Sequence, residues 1–213
     1  VPASIFLVFQ LKFILVLALL FGAVVLVIVR PTKYTGFTIP TPFGKHPFEF
    51  LTGFRSTFPG LLLAVVLTVI SIFVDNFNLG LFALVFTFLI IMTYYLNPEN
   101  EYFVWIFNTS AAKFLFQKAG ICILYSAFLT LPVLIPLAIA FPDEYVSVAA
   151  IFFLGHVYLL TVISAKYSVY PNQINVPQFL ILVLSIWFAP LLLIVIPYFF
   201  VQSLNHLKVI LND

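Results

Sequence analysis

The sequence predicts an all-α fold, a polytopic integral membrane helix bundle of about six spans. Hydrophobic residues make up 64% of the 213 residues, and charged residues only 8%. An ordinary soluble domain is about 45–50% apolar, and its core could not bury this much apolar surface. The natural solvent is therefore a lipid bilayer. There each span must satisfy its own backbone hydrogen bonds, which favours helices.

Residues 1–30 contain the first predicted span, span A (Ala3–Val29). Its apolar run from Phe13 to Val29 is about 17 residues long, near the lower limit for a spanning helix. Lys12 lies inside the stretch, whereas a signal peptide has its basic residues at the start and a cleavage site after a short apolar core. We expect a true span, either the protein's first or the last of a preceding half. We treat residues 1–213 as a single transmembrane domain.

The polar interval after span A ends in a predicted amphipathic helix, Pro47–Phe58. Pro47 suits the first turn of a helix, and Glu49 suits the positive end of its dipole. Four apolar residues share one helical face: Phe50, Leu51, Phe54 and Phe58. We predict that this helix lies in the membrane interface. The alternative is an aromatic-rich loop.

Five further apolar runs predict spans B to F: Phe58–Val74, Leu79–Leu96, Ala119–Phe141, Val146–Ser164 and Phe179–Val201. Pro132 and Pro136 are expected to kink span D. Span F contains Pro190 and Pro197, and two interpretations stay open. It is either one full span, or a broken segment that turns back and returns the tail to the side where it entered.

The basic residues predict the orientation of the spans. Lysines and arginines occur between spans A and B, C and D, and E and F: Arg30, Lys33, Lys45, Arg55, Lys113, Lys118 and Lys166. The two intervening turns contain instead Asp75, Asp143 and Glu144. We therefore expect the A–B, C–D and E–F segments to face the cytoplasm.

The segment Asn97–Lys118, between spans C and D, is the strongest candidate for a partner site. Asn97 as N-cap, Pro98 at the first position and acids in the first turn predict a helix over Glu99–Phe107. A second helix should follow a cap at Asn108 or Ser110. This compact element is either a structural connector or a docking helix. The candidate partner-binding residues are Glu99, Glu101, Trp105, Phe107, Lys113 and Lys118.

His156 lies in the middle of span E. An ionisable residue inside a span is a functional-site hypothesis by default. The alternative is a neutral imidazole bonded to a neighbouring helix. Tyr158 and Thr161 extend a mildly polar strip from it, so the candidate substrate path is His156, Tyr158 and Thr161.

The sequence motifs disfavour an enzyme. It contains no Gly-rich phosphate loop with Lys-Ser/Thr, no His-Glu-x-x-His pair and no Gly-x-Ser-x-Gly. Its single cysteine, Cys122, excludes a cysteine metal cluster and an internal disulfide. We therefore expect no catalytic residue, no metal and no cofactor. The net charge of +2 does not suggest a nucleic-acid partner.

The order of these parts resembles the membrane subunit of exporter-type ABC transporters. In that family an amphipathic elbow helix precedes two spans, a cytoplasmic coupling helix that docks on an ATPase, and further spans. Here Pro47–Phe58 corresponds to the elbow and Asn97–Lys118 to the coupling region. The family's loose pattern of an acidic start, small or polar middle residues and a late lysine is matched by Glu99-Asn100-Glu101, Trp105, Asn108-Thr109-Ser110 and Lys118. The resemblance covers residues 47–213, and five spans follow the elbow where six are usual.

This resemblance implies a permease subunit that exports a lipid-like, peptide or drug-like substrate. It implies two partners, a separate nucleotide-binding ATPase and a second permease half or copy, and a bacterial plasma (inner) membrane. The rival hypothesis is a non-transport scaffold or assembly subunit, whose spans only hold partners in a larger membrane complex.

Overall fold

A computed structural model of the protein describes residues 40–43, 48–96, 98–106 and 109–211. All of these belong to one unit of the chain, Pro40–Asp213. The predicted span A, Asn97 and the predicted partner residue Phe107 lie outside the described residues.

The regular elements of the described part are all helical, as predicted. Seven α-helices follow one another in the described ranges: α1 Phe48–Phe73, α2 Phe77–Thr93, α3 Glu101–Trp105, α4 Ala111–Ala140, α5 Tyr145–Ser168, α6 Val176–Trp187 and α7 Leu192–Leu211. Two 3-10 turns, Pro142–Glu144 and Ala189–Leu191, precede α5 and α7.

Four stretches of the described chain are long and apolar enough to cross a membrane: Phe48–Phe73, Ala111–Ala140, Pro142–Ser168 and Leu192–Leu211. Their composition and length make the chain an integral membrane protein. The helices Phe77–Thr93 and Val176–Ile186 are apolar but shorter. The described part therefore supports a helical membrane bundle with four full-length candidate spans, where the sequence predicted five spans, B to F, in the same residues.

The predicted interfacial elbow helix is not a separate element. Residues 48–58 form the first turns of α1, which runs without interruption through Pro59 to Phe73. The reason is packing, because Phe50 is fully buried and its ring lies 5.5 Å from that of Tyr94 and 5.3 Å from that of Tyr125. The apolar face that suggested an interfacial helix thus contacts protein.

Helices α1 and α2 pair antiparallel. In the turn between them Asp75 has a φ of 50°, a left-handed conformation that aspartate tolerates better than most residues. The Asn76 side chain then caps α2 by accepting from the Leu79 amide at 3.3 Å. At the far end of the pair, Thr57 Oγ1 lies 2.8 Å from Tyr94 Oη. Helix α2 thus traverses most of the length of α1.

The predicted span F is broken into α6 and α7. Helix α6 begins beside the end of α5, where Gln178 Nε2 donates to Ser168 Oγ at 3.2 Å. The chain turns at Ala189–Leu191, and α7 then runs back along α5. Helix α7, which ends at Leu211, also packs against α3. The interpretation in which span F returns to its side of entry is therefore the one that the structure adopts.

Glycines allow close contacts between helices inside the bundle. A Cβ atom at Gly155 of α5 would collide with the ring of Phe88 on α2, and one at Gly80 would collide with Leu137 on α4. Small residues at such contacts are typical of membrane helices, whose association depends on close van der Waals packing. Around a Cβ at Gly120 on α4, by contrast, there is open space.

We expect Gly155→Ala to destabilise the protein. The added methyl group must displace the buried Phe88 ring, and overpacking of this kind costs about 1–3 kcal/mol. Gly120→Ala is the matched control, since it adds the same methyl group where nothing lies within 4 Å. Thermal unfolding of the detergent-purified protein should show a lower midpoint for Gly155→Ala only. Equal midpoints for the two variants would contradict the packing described here.

Candidate functional site

Four charged side chains form a buried cluster at one end of the bundle. Lys118 Nζ lies 2.8 Å from Glu49 Oε1 and 2.9 Å from Glu99 Oε2. Lys166 Nζ lies 3.0 Å from Glu99 Oε1 and 3.5 Å from Glu49 Oε1. Each lysine thus contacts both glutamates in a closed square of alternating charge. We call these four residues the charge cluster, and their end of the bundle the charged end.

The members of the charge cluster come from four different segments. Glu49 lies in the first turn of α1 and Lys166 in the last turn of α5, positions where the helix dipole favours their charges. Lys118 lies on the buried face of α4, one turn after the buried Phe114. Glu99 precedes α3 in the connection from α2. The cluster therefore joins three long helices to the short connecting segment.

Tyrosines complete the surroundings of Glu99. Tyr167 Oη donates to Glu99 Oε1 at 2.5 Å, and Tyr170 Oη donates to the Glu99 backbone carbonyl at 2.9 Å. The Lys166 ammonium also lies 5.6 Å from the ring centroid of Tyr95, within the range of a cation–π contact. Both the side chain and the backbone of Glu99 are thereby fixed.

The charge cluster is almost dry, since its side chains are 1–12% exposed. Burial alone would raise the pKa of Glu99, but the two lysines and the hydrogen bond from Tyr167 outweigh burial and hold that pKa well below its usual value of 4.5. Buried charges are costly unless paired. Each of the four charges here has oppositely charged partners. One oxygen atom, Glu49 Oε2, has no hydrogen-bond partner among the described residues.

The structure divides the predicted partner-binding residues into two groups. Glu99 and Lys118 belong to the charge cluster and bond within the chain. Glu101, Trp105 and Lys113 are exposed. The sixth predicted residue, Phe107, lies outside the described part of the chain.

Helix α3 is shorter than predicted and begins later. It spans Glu101–Trp105, and its N-cap is Asn100, whose side chain accepts from the Tyr102 amide at 3.0 Å. Glu99 therefore lies before the helix, where its backbone is free to meet Tyr170. The prediction that the helix starts at Glu99 was wrong, because Asn100 is the residue with the extended backbone of a cap.

One face of α3 is anchored and the other is exposed. Val104 is fully buried, whereas Tyr102, Trp105 and Ile106 are 59%, 57% and 55% exposed. We call these three residues the α3 face. The segment thus presents large aromatic and apolar side chains at the charged end while Val104 and Glu99 hold it to the bundle.

His156 is buried between two aromatic rings. Its Nδ1 lies 2.8 Å from the Phe152 carbonyl oxygen one turn earlier, a contact that requires the proton on Nδ1. Its Nε2 has no partner in the described part. The ring centroids of Phe88 and Phe152 lie 5.2 Å and 4.5 Å away. The surroundings are those of a packed imidazole.

The three predicted path residues do not share one surface. His156 and Tyr158 are two positions apart, about 200° around the helix axis, and therefore point to nearly opposite sides. Tyr158 donates to the Ser185 carbonyl in the last turn of α6. Buried Thr161 donates to the Val157 carbonyl at 2.8 Å. Tyr158, but not the other two, lines an apolar cavity of about 220 Å³ between α2, α5 and α6.

The sequence predicted two of the four residues of the charge cluster, Glu99 and Lys118, as partner contacts, and gave no site role to the other two. Glu49 served only as a helix-start signal and Lys166 only as an orientation signal, and no role was assigned to Tyr167 or Tyr170. A helical-face test would have separated the lysines of α4, because Lys118 follows Phe114 by four positions and Lys113 does not share that buried face. The ion pair between Glu49 of α1 and Lys166 of α5 has no local signal.

Comparison of the chain with known protein families, curated proteins and solved structures finds no match. The class of the protein is therefore defined by its fold alone. In its described part it is an all-helical integral membrane protein with a buried charge cluster at one end.

We expect Lys166→Met to destabilise the protein strongly. The substitution leaves Glu99 and Glu49 buried with one lysine between them, and breaking a buried pair in this way costs about 3–5 kcal/mol. Lys113→Met, an exposed lysine at the same end, is the control and should change stability by less than about 0.5 kcal/mol. Unfolding midpoints in detergent measure both. A mild effect of Lys166→Met would show that the cluster is not a stabilising contact.

The low pKa of Glu99 predicts a loss of stability in acid. The unfolded chain takes up a proton at Glu99 near its usual pKa of 4.5, whereas the folded protein resists protonation. The stabilisation is therefore complete above this value and is lost as the pH falls towards the folded pKa. Between about pH 6 and pH 3 the unfolding midpoint should fall less steeply in Glu99→Gln than in the wild type. Glu101→Gln, at an exposed site, should keep the wild-type slope, and a wild-type slope in Glu99→Gln would refute the assignment.

Proposed function

We propose that this protein is a transmembrane permease subunit that moves a substrate across the membrane and is driven by a separate ATPase. The observation that carries the proposal is the α3 face. A short helix between two apolar helices presents Tyr102, Trp105 and Ile106 to its surroundings. Exposed aromatic residues of this kind are enriched at the energetic centres of protein interfaces.

The distribution of charged residues also supports the charged end as the side on which the partner binds. The described basic residues of α1, α4, α5 and α7 lie at or near the charged end: Arg55, Lys113, Lys118, Lys166 and Lys208. Asp75, Asp143 and Glu144 belong to the turns at the other end. An excess of lysine and arginine is typical of cytoplasmic segments. A cytoplasmic ATPase would therefore meet the α3 face.

In this proposal the substrate path lies between two such subunits. The polar residues His156 and Thr161 bond within their own helix, and the cavity beside Tyr158 is apolar. A path assembled from two permease copies, or from this chain and a preceding half, does not require a polar channel inside one bundle. The apolar cavity wall favours a lipid-like substrate over a charged one.

A scaffold or assembly subunit is the second candidate function. The inward packing of His156 and Thr161 favours it, because side chains that only pack serve assembly as well as transport. In that case the α3 face would bind another membrane protein of the complex.

We expect Trp105→Ala to reduce capture of a nucleotide-binding ATPase about tenfold or more, as loss of an interface hot spot does. The tagged protein is purified in mild detergent from its own host, and mass spectrometry quantifies the co-eluting ATPase. Tyr145→Ala is the matched control, since Tyr145 is 64% exposed at the opposite end, and it should leave capture unchanged.

Two outcomes would count against the permease. A stoichiometric complex that contains only other membrane proteins would establish the scaffold function instead. Equal loss of the ATPase in Trp105→Ala and Tyr145→Ala would show that the α3 face is not the docking surface.

A further inference from the structure

Glu99 connects the α3 face to several parts of the bundle at once. Its carboxylate contacts Lys118 on α4 and both Lys166 and Tyr167 on α5. Its backbone carbonyl accepts from Tyr170 beyond the end of α5. Through the shared lysines it is linked to Glu49 on α1. Helix α3 begins only two residues later.

From this geometry we infer that Glu99 is a positioning residue that makes α3 move together with α1, α4 and α5. The inference rests on the proposed function, in which a partner ATPase docks on the α3 face. It gives Glu99 a role different from the partner contact that the sequence suggested. Its carboxylate is engaged within the chain, and in this role the residue transmits the displacement of α3 to the membrane helices.

The physical reason is the charge that a displaced Glu99 would leave behind. With Glu99 in place, two acidic side chains face two lysines in a nearly dry site. Without it, two ammonium groups share the single carboxyl group of Glu49, and uncompensated buried charge is strongly unfavourable. A displacement of helix α3 therefore requires the two lysines to move with it, and with them helices α4 and α5.

Hydrogen exchange of the detergent-purified protein tests the mechanical part of the inference. Glu99→Gln keeps the size of the side chain but removes its charge. The amides of residues 99–106 should exchange about tenfold faster than in the wild type, because the anchored segment opens more readily. Amides in the middle of α2 should be unchanged. Glu101→Gln, two residues away and exposed, should exchange like the wild type.

A conservative variant guards against a substitution that merely unfolds the protein. Glu99→Asp keeps the negative charge in the cluster, and residues 99–106 should exchange more slowly in it than in Glu99→Gln. Equally fast exchange in Glu99→Asp and Glu99→Gln, or wild-type exchange in Glu99→Gln, would overturn the inference. Fast exchange in Glu101→Gln would overturn it as well.

The captured ATPase tests transmission separately from docking. In the wild-type complex, trapping the ATPase with ATP and vanadate should change exchange in the N-terminal turns of α4 and the last turns of α5. Glu99→Gln should still capture the ATPase but lose this response. An intact response would overturn the transmission role. If the wild type captures no ATPase at all, the proposed function fails, while the exchange of residues 99–106 still decides whether Glu99 anchors α3.

Discussion

Ion pairs between two buried lysines and two buried glutamates hold the charged end of this bundle together. Removal of any one of the four would leave a buried charge without its partner. The square formed by Glu49, Glu99, Lys118 and Lys166 brings the start of α1, the start of α4 and the end of α5 to one place. Apolar helices in a bilayer have little hydrophobic reason to choose one another over lipid. A closed ion-pair square provides a specific reason, and it fixes the relative level of the three helices.

The position of α3 follows from the charge cluster. Glu99 is fixed through its carboxylate and its carbonyl, so the five-residue helix that follows has a defined place although it is too short to be stable by itself. Val104 adds an apolar anchor. A short helix that is fixed at its start and exposed on its other face is suited to receive force from a bound partner. In the proposed function, docking on α3 and the charge cluster therefore act together.

The bundle interior is built for packing more than for passage. His156 lies between Phe88 and Phe152, and Gly155 allows the Phe88 ring to lie directly on α5. Thr161 and Ser164 of α5 donate to carbonyls of their own helix, which satisfies them without an opening. Substrate movement in the proposed function therefore belongs to the surface between subunits.

The sequence by itself determined the helical class, the membrane as solvent and the approximate location of most helices, because these depend on apolar runs and on local helix signals. It also found the segment that contains α3. Only the tertiary structure decided that α1 continues through the expected elbow, that span F turns back, and that Glu99 and Lys118 face inward while Trp105 faces outward. Those features depend on contacts between residues far apart in the chain, such as Glu49 with Lys166, and no local pattern encodes which distant charge a buried charge will meet.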